Sequence, residues 1–131
     1  RMSLEGLATE KAAALIAPDE IDQLEVQYKN ISSAISEGGN EAYLSSNWAF
    51  HRTIYKAAKS DMILDIIETL WMRAGPLVGT ALIAENHTEQ TMGHHKRALM
   101  GLKMRDHFAA RAAVEADIGG AAADIMARLY P

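Results

Sequence analysis

The sequence contains no cysteine, which excludes disulfide bonds and metal sites built on thiolates. A reducing, cytoplasmic compartment is therefore expected. Basic residues are also in deficit, because 13 lysines and arginines stand against 17 aspartates and glutamates, for a net charge of -4. A domain of this charge repels phosphate backbones, so we expect this segment alone not to bind duplex DNA specifically.

Long hydrophobic runs are missing as well. Charged residues or Gly75-Pro76 interrupt each apolar stretch before it reaches membrane-spanning length, so no membrane segment is expected. No signal peptide is visible. Phosphate-binding glycine loops and zinc-protease motifs do not occur, and no hydrolase elbow follows Ser45 and Ser46. The first residue, Arg1, lies inside a helical pattern without a starting Met, which predicts that the chain is a fragment of a longer protein.

What remains is a helical pattern, punctuated by three prolines and nine glycines in 131 residues. Apolar residues recur at three- and four-residue spacing, and no useful strand alternation is found. We expect Gly75-Pro76 to kink or break the fourth helix, and residues 85–93 to form a loop or fraying end. Residues 1–131 are thus predicted to form one all-α domain, an antiparallel bundle of about six helices. The first three expected helices are residues 1–17, a second helix capped by Asp19 that ends before Gly38, and residues 41–58. The fourth begins at Ser60 or Asp61 and turns Ile63, Ile66 and Ile67 inward. The fifth covers residues 91–104, and the sixth is capped by Asp106 and carries Phe108 and Val114.

Polar residues stand on the apolar faces of three of these helices. Asn47 and His51 are four residues apart in the third helix, while His95 and Asp117 share apolar faces of the fifth and sixth. Burying such groups costs several kcal/mol unless they are paired. Two imidazoles, a carboxylate and an amide oxygen from three helices can hold one divalent cation inside a bundle.

Two interpretations of these residues stay open. A buried histidine is more often a hydrogen-bonded core residue than a metal ligand, and pairing of His51 with Asp117 would satisfy both groups. If they are ligands, the imidazole nitrogens favour zinc or nickel over calcium or magnesium. Metal affinity is then expected to fall as the pH drops through the histidine range near 6.5. Arg73 either meets an anionic ligand or extends its charge into water.

Several segments, taken in order, resemble the FCD domain, the C-terminal sensor domain of FadR-type GntR transcription regulators. Residues 1–5 resemble the family's opening R-x-x-L-E motif, and residues 47–52 resemble its D-x-x-F-H motif. Residues 59–64 are similar to the turn into the next helix. His95 through Asp106 resembles a histidine stretch that ends in aspartate, and the segment from Asp106 to Asp117 matches the last motif, where the family usually has histidine.

The resemblance implies a helical domain that dimerises and binds a small carboxylate metabolite, often beside a metal. The family's metal set, one aspartate and three histidines, falls on Asn47, His51, His95 and Asp117. Two of these positions depart from the usual type, although an amide oxygen and a carboxylate can both coordinate. Arg1 and Arg73 are assigned to the effector. Operator DNA would be bound only by a winged helix-turn-helix domain that precedes this one and is absent from the chain.

The expected function is therefore effector sensing and dimerisation in a metabolite-responsive regulator, without enzymatic activity. Two alternatives stay open: a metal-dependent enzyme that uses the same cluster to activate water, and a purely structural dimerisation bundle. The sequence disfavours the enzyme, because no general acid or base stands out beside the four candidate ligands.

Overall fold

A computed structural model describes the backbone of residues 1–81 and 87–131, and the side chains except those of residues 79–88. The described residues form helices and no strand, which confirms the predicted all-α bundle. Turns of two or three residues join consecutive helices on both sides of residues 82–86, and α2 packs on α3, α3 on α4 and α5 on α6. None of these helices is both long and apolar enough to cross a membrane. The helices are α1 (Met2–Leu15), α2 (Pro18–Glu37), α3 (Asn40–Ala57), α4 (Asp61–Ala81), α5 (His87–Lys103) and α6 (His107–Leu129).

The helix starts follow local capping chemistry, with one difference from expectation. α2 begins at Pro18, so Asp19 lies in the first turn and is not the cap. The fixed φ of proline suits a first helical position, and the Ala17 amide donates to Glu20 Oε2 at 2.8 Å. Asp106 caps α6 as predicted, since its Oδ1 accepts a hydrogen bond from the Ala109 amide at 3.0 Å.

One expectation about the middle of the chain is wrong, and the break considered at Gly75-Pro76 does not occur. α4 continues through Gly75-Pro76 to Ala81, because Pro76 lies on the exposed face, where water can replace the missing amide donor. α5 begins at His87, so residues 87–93 are helical and not a loop; Glu89 in its first turn is favourable for the helix dipole. The earlier part of that expected loop, residues 85 and 86, lies outside the described residues.

The core forms where α6 packs against α1, α4 and α5, and where α3 packs against α1, α2 and α4. Two residues expected to face inward are exposed, namely Ile66 on α4 and Phe108 on α6. Periodicity places both near the edge of an apolar stripe, and no neighbouring helix of the described chain covers that edge. The largest fully buried apolar side chains are Tyr43, Tyr55, Phe50, Ile16, Leu24, Ile31, Ile54, Ile67, Leu102 and Val114.

Arg105 connects the turn between α5 and α6 to the end of α1. Its backbone has a positive φ of 53°, which is uncommon for a residue with a side chain. The guanidinium donates to the carbonyl oxygens of Ala14 and Ile16, each at 3.0 Å, and to that of Ala13 at 3.3 Å. These carbonyls have no helical partner at the end of α1, so Arg105 caps that helix from a distant turn.

Gly101 allows the backbones of α5 and α6 to approach closely. A Cβ at this position would lie 2.7 Å from the Ala110 nitrogen and 2.9 Å from its Cα. Because backbone atoms cannot yield as a flexible side chain can, Gly101→Ala should lower the free energy of unfolding by about 1–3 kcal/mol. Urea denaturation followed by circular dichroism measures this loss.

The matched control is Gly119→Ala in α6. A Cβ there would meet the end of Met2 at 3.6 Å, an ordinary contact, so helix propensity should raise stability by up to about 1 kcal/mol. Equal stability changes for the two variants would contradict the close approach at Gly101.

Candidate metal and effector site

The four predicted ligands converge in the centre of the bundle. Asn47 and His51 point inward from α3, His95 from α5 and Asp117 from α6, and all four are buried. One donor atom from each of His51, His95 and Asp117 lies within 4.8 Å of the others. The Asn47 Oδ1 atom is 2.8 Å from His95 Nε2. The α-helical spacing that placed these residues on inner faces also brings them to one level of the bundle.

His95 presents an unprotonated nitrogen to this centre. Its Nδ1 is 2.7 Å from the Thr91 carbonyl oxygen, which only accepts, so the ring proton lies on Nδ1. Burial lowers the pKa of His95, which favours the neutral ring. Nε2 is then an acceptor, and it faces the carbonyl oxygen of the Asn47 amide. Two acceptors at this distance need a cation beside them, or an amide turned to present its NH2 group.

His51 has a similar arrangement. Its Nδ1 lies 3.0 Å from the Tyr55 hydroxyl, and its Nε2 lies 3.0 Å from Asp117 Oδ2. The direct contact between His51 and Asp117 is the pairing expected for a metal-free core. His95 is placed differently, because its nearest approach to the Asp117 carboxylate is 3.8 Å, from Nδ1 to Oδ1.

Asp117 supplies the negative charge of the cluster. Burial by itself would raise the pKa of Asp117, but the nearby His95 and the hydrogen bond from His51 lower it to about 2. The carboxyl group is thus ionised at neutral pH. A buried carboxylate beside two imidazoles and an amide oxygen is a donor set that suits a divalent transition metal. The residues present therefore fit such an ion.

The sequence profile of the FCD domain family matches residues 1–120. The chain belongs to the FCD domain family. The HTH-type transcriptional regulator McbR of Escherichia coli (strain K12) is 26% identical over 108 residues, which make up 81% of this chain and 49% of McbR. The solved structure of E. coli McbR/YncC matches with a TM-score of 0.89 and 22% identity, covering 98% of this chain and 65% of that one.

These comparisons confirm the family resemblance and the helical fold. The curated relative is a transcriptional regulator. This FCD chain spans about half of that relative's length, so the match concerns one part of a larger regulator.

The two arginines assigned to the effector differ in position. Arg1 packs its guanidinium over the Trp71 ring at 4.9 Å and pairs with Glu5, with Nε 3.2 Å from Oε1. It also lines a cavity of about 10 Å³, together with Tyr43, Asn47, His51, Trp71, Val78, Asp117, Ile118 and Ala121. Arg73 lies on the exposed side of α4 and is not among these lining residues. The structure therefore brings Arg1, and not Arg73, to the predicted ligands of the FCD domain.

Sequence reasoning missed the polar residues behind the histidines. Glu5 is 0% exposed and accepts a hydrogen bond from the Tyr55 hydroxyl, while Thr91 holds His95 through its carbonyl. A signal for Glu5 was present in the sequence, because it shares the inward face of α1 with Ala8, Thr9 and Ala12 at helical spacing. The role of the Thr91 carbonyl left no signal, since any residue type can supply it.

Proposed function

We propose that this FCD domain is the effector-sensing and dimerising part of a GntR-type transcription regulator. It binds a small organic acid beside a divalent cation held by Asn47, His51, His95 and Asp117. One observation carries the proposal: four buried polar side chains from three helices meet, with His51 Nε2 3.0 Å from Asp117 Oδ2 and His95 Nε2 2.8 Å from Asn47 Oδ1. Such an arrangement is expensive inside a protein unless protons or a cation satisfy it.

Zinc or nickel suits this donor set best, given its two imidazoles. When bound, the ion would supply positive charge and an open position for an effector oxygen. The protein's own contribution is orientation. The Thr91 carbonyl and the Tyr55 hydroxyl hold the outer nitrogens of the two imidazoles, which directs the inner nitrogens toward the centre.

The surroundings indicate where an effector carboxylate would lie. The small cavity beside the ligands has room for about one water molecule, and Arg1 forms part of its wall. An apolar groove of about 510 Å³ adjoins it and shares Arg1, Val78, Ile118 and Ala121 with its lining. A carboxylate that displaces the water would meet the Arg1 guanidinium, while an apolar portion of the molecule would follow the groove.

Signalling would follow from differential binding. Arg1 is the N-cap residue of α1 and Glu5 lies in its first turn; α1 would be the helix closest in sequence to the DNA-binding domain of the complete regulator. An effector that binds Arg1 in one arrangement of α1 better than in another shifts the population toward that arrangement. Operator DNA is then released or bound by the upstream domains, without any contact from this acidic bundle.

The metal is tested by loading and elemental analysis. After incubation with zinc or nickel and removal of excess ion, the untagged chain should retain about one equivalent. The His51→Ala/His95→Ala variant should retain less than about a tenth of an equivalent, because it loses both nitrogen ligands. His107→Ala, on the exposed start of α6, is the matched control and should load like the parent. Equal loading of parent and double variant would leave the structural bundle as the better explanation.

The effector site is tested by the two predicted arginines. Trp71 lies under Arg1, so its fluorescence can follow titration of the zinc-loaded chain with acetate, lactate and citrate. Arg1→Ala should weaken binding of the best of these carboxylates by about tenfold or more, since it removes a charge-assisted hydrogen bond. Arg73→Ala should bind like the parent. The opposite order would move the effector to the exposed side of α4.

Homodimerisation is the remaining part of the proposal, and an uncovered stripe of α4 supports it. Met62, Ile66 and Leu77 are exposed and lie along one side of that helix. Exposed apolar residues grouped on one side of a helix mark an interaction surface more often than isolated ones do.

Light scattering at concentrations on the order of tens of micromolar measures the assembly. The parent should be a dimer, and Ile66→Glu should be a monomer, because a buried unpaired carboxylate is strongly unfavourable. Met100→Glu on α5 is the control, since Met100 is 46% exposed against 45% for Ile66. A monomeric parent would refute dimerisation, whereas a dimeric Ile66→Glu variant would place the interface elsewhere.

A further inference from the structure

A buried carboxylate lies behind His51, outside the proposed ligand set. Glu5 is fully buried, and Tyr55 donates its hydroxyl hydrogen to Glu5 Oε2 at 3.2 Å. Arg1 donates to both carboxylate oxygens, from Nε at 3.2 Å and from Nη2 at 3.4 Å. The Tyr55 oxygen is also 3.0 Å from His51 Nδ1. A continuous hydrogen-bonded chain therefore leads from Arg1 on α1 to the candidate ligand His51 on α3.

The direction of each hydrogen bond in this chain is determined by Glu5. A tyrosine hydroxyl carries a single hydrogen, and that of Tyr55 lies 3.2 Å from Glu5 Oε2. A carboxylate paired with Arg1 can only accept, so that hydrogen points to Glu5. The Tyr55 oxygen can then only accept from His51, which places a proton on Nδ1. Nε2, which faces Asp117 Oδ2 at 3.0 Å, is then the nitrogen at which a cation would replace a proton.

We propose that Glu5 is a positioning residue which, through Tyr55, fixes the ring nitrogen that His51 offers to the metal. The inference rests on the proposed function, because it assigns the outer support of that metal site. Outer partners of metal-bound histidines commonly set the tautomer and raise affinity. Here the support comes from α1, so the same carboxylate joins the effector's arginine to the ligand.

Replacing Glu5 by glutamine should reverse the direction of the hydrogen bonds between Glu5, Tyr55 and His51, while the side chain at position 5 keeps its shape. Arg1 has only donors, so the glutamine carbonyl would turn toward Arg1 and its NH2 group toward Tyr55. The Tyr55 oxygen would then accept from the glutamine, and its hydrogen would point to His51 Nδ1. His51 would carry its proton on Nε2 and lose the nitrogen that faces Asp117.

The experiment measures zinc affinity by competition with a chromophoric chelator, and the ring nitrogens of 15N-histidine-labelled protein by NMR in saturating zinc. The parent should show a proton on His51 Nδ1 and zinc on Nε2. Glu5→Gln should bind zinc at least about tenfold more weakly and lose the Nδ1 proton. Tyr55→Phe, which keeps the ring and removes the link, should show the same weakening and serves if Glu5→Gln does not fold.

The controls are Glu10→Gln, which removes a carboxylate of α1 that pairs with Arg111, and Tyr28→Phe on α2. Both should match the parent in zinc affinity and in the His51 signals. If the parent binds no zinc, the proposed function and this inference fail together. If the parent binds zinc and the Glu5 and Tyr55 variants match it, the inference alone fails. Weaker binding with the Nδ1 proton retained would also overturn it, because it would indicate a merely structural role.

Discussion

Acceptor atoms that face one another in a water-poor interior are the constraint on which this structure depends. His51 Nε2 meets a carboxylate oxygen, and His95 Nε2 meets an amide oxygen, in the centre of an otherwise apolar bundle. Each contact is unfavourable unless a proton or a cation lies between or beside the two atoms. The Thr91 carbonyl and the Tyr55 hydroxyl contact Nδ1 of His95 and of His51, which leaves Nε2 of each ring for these contacts, and Glu5 orients the Tyr55 hydroxyl.

The packing around the cluster gives it rigidity. Gly101 lets α5, which carries His95, lie close to α6, which carries Asp117. Arg105 ties the turn between these two helices to the end of α1, whose N-cap and first turn hold Arg1 and Glu5. A displacement of α1 would therefore disturb contacts at both of its ends, namely the cap by Arg105 and the hydrogen bonds that run through Glu5. The proposed selection by an effector would act through this coupling.

The sequence predicted the helices and the inward placement of the four candidate ligands, because both follow from periodicity. An inward face repeats every three or four residues, so Asn47, His51, His95 and Asp117 could be assigned to the interior without a structure. The continuous α4 and the early start of α5 could not be assigned in this way. Whether Pro76 breaks a helix depends on which face it occupies, and whether residues 87–93 stay helical depends on packing, neither of which a local pattern contains.

Sequence pattern also could not predict hydrogen-bond partners of the histidines that act through backbone atoms or that lie on another helix. The Thr91 carbonyl carries no signature, and the link from Glu5 to His51 joins α1 to α3 through Tyr55. The exposed Ile66 and Phe108 show the reverse case, where periodicity assigned burial but the described chain supplies no neighbour. The spacing of apolar residues predicts which face of a helix turns inward. Which residues that face contacts depends on how the helices pack.

The charges of the cluster support the proposed pairing of a cation with an effector anion. The family set of one aspartate and three histidines carries one negative charge, and so does the candidate set here, in which the carboxylate is Asp117 on α6 and the α3 position holds Asn47. Asp117 and Glu5 together carry two negative charges, against one positive charge on Arg1. Without a cation this interior would repel a carboxylate. A divalent ion would leave one positive charge in excess, which a monocarboxylate effector then neutralises in a site of low dielectric, where such compensation is strongest.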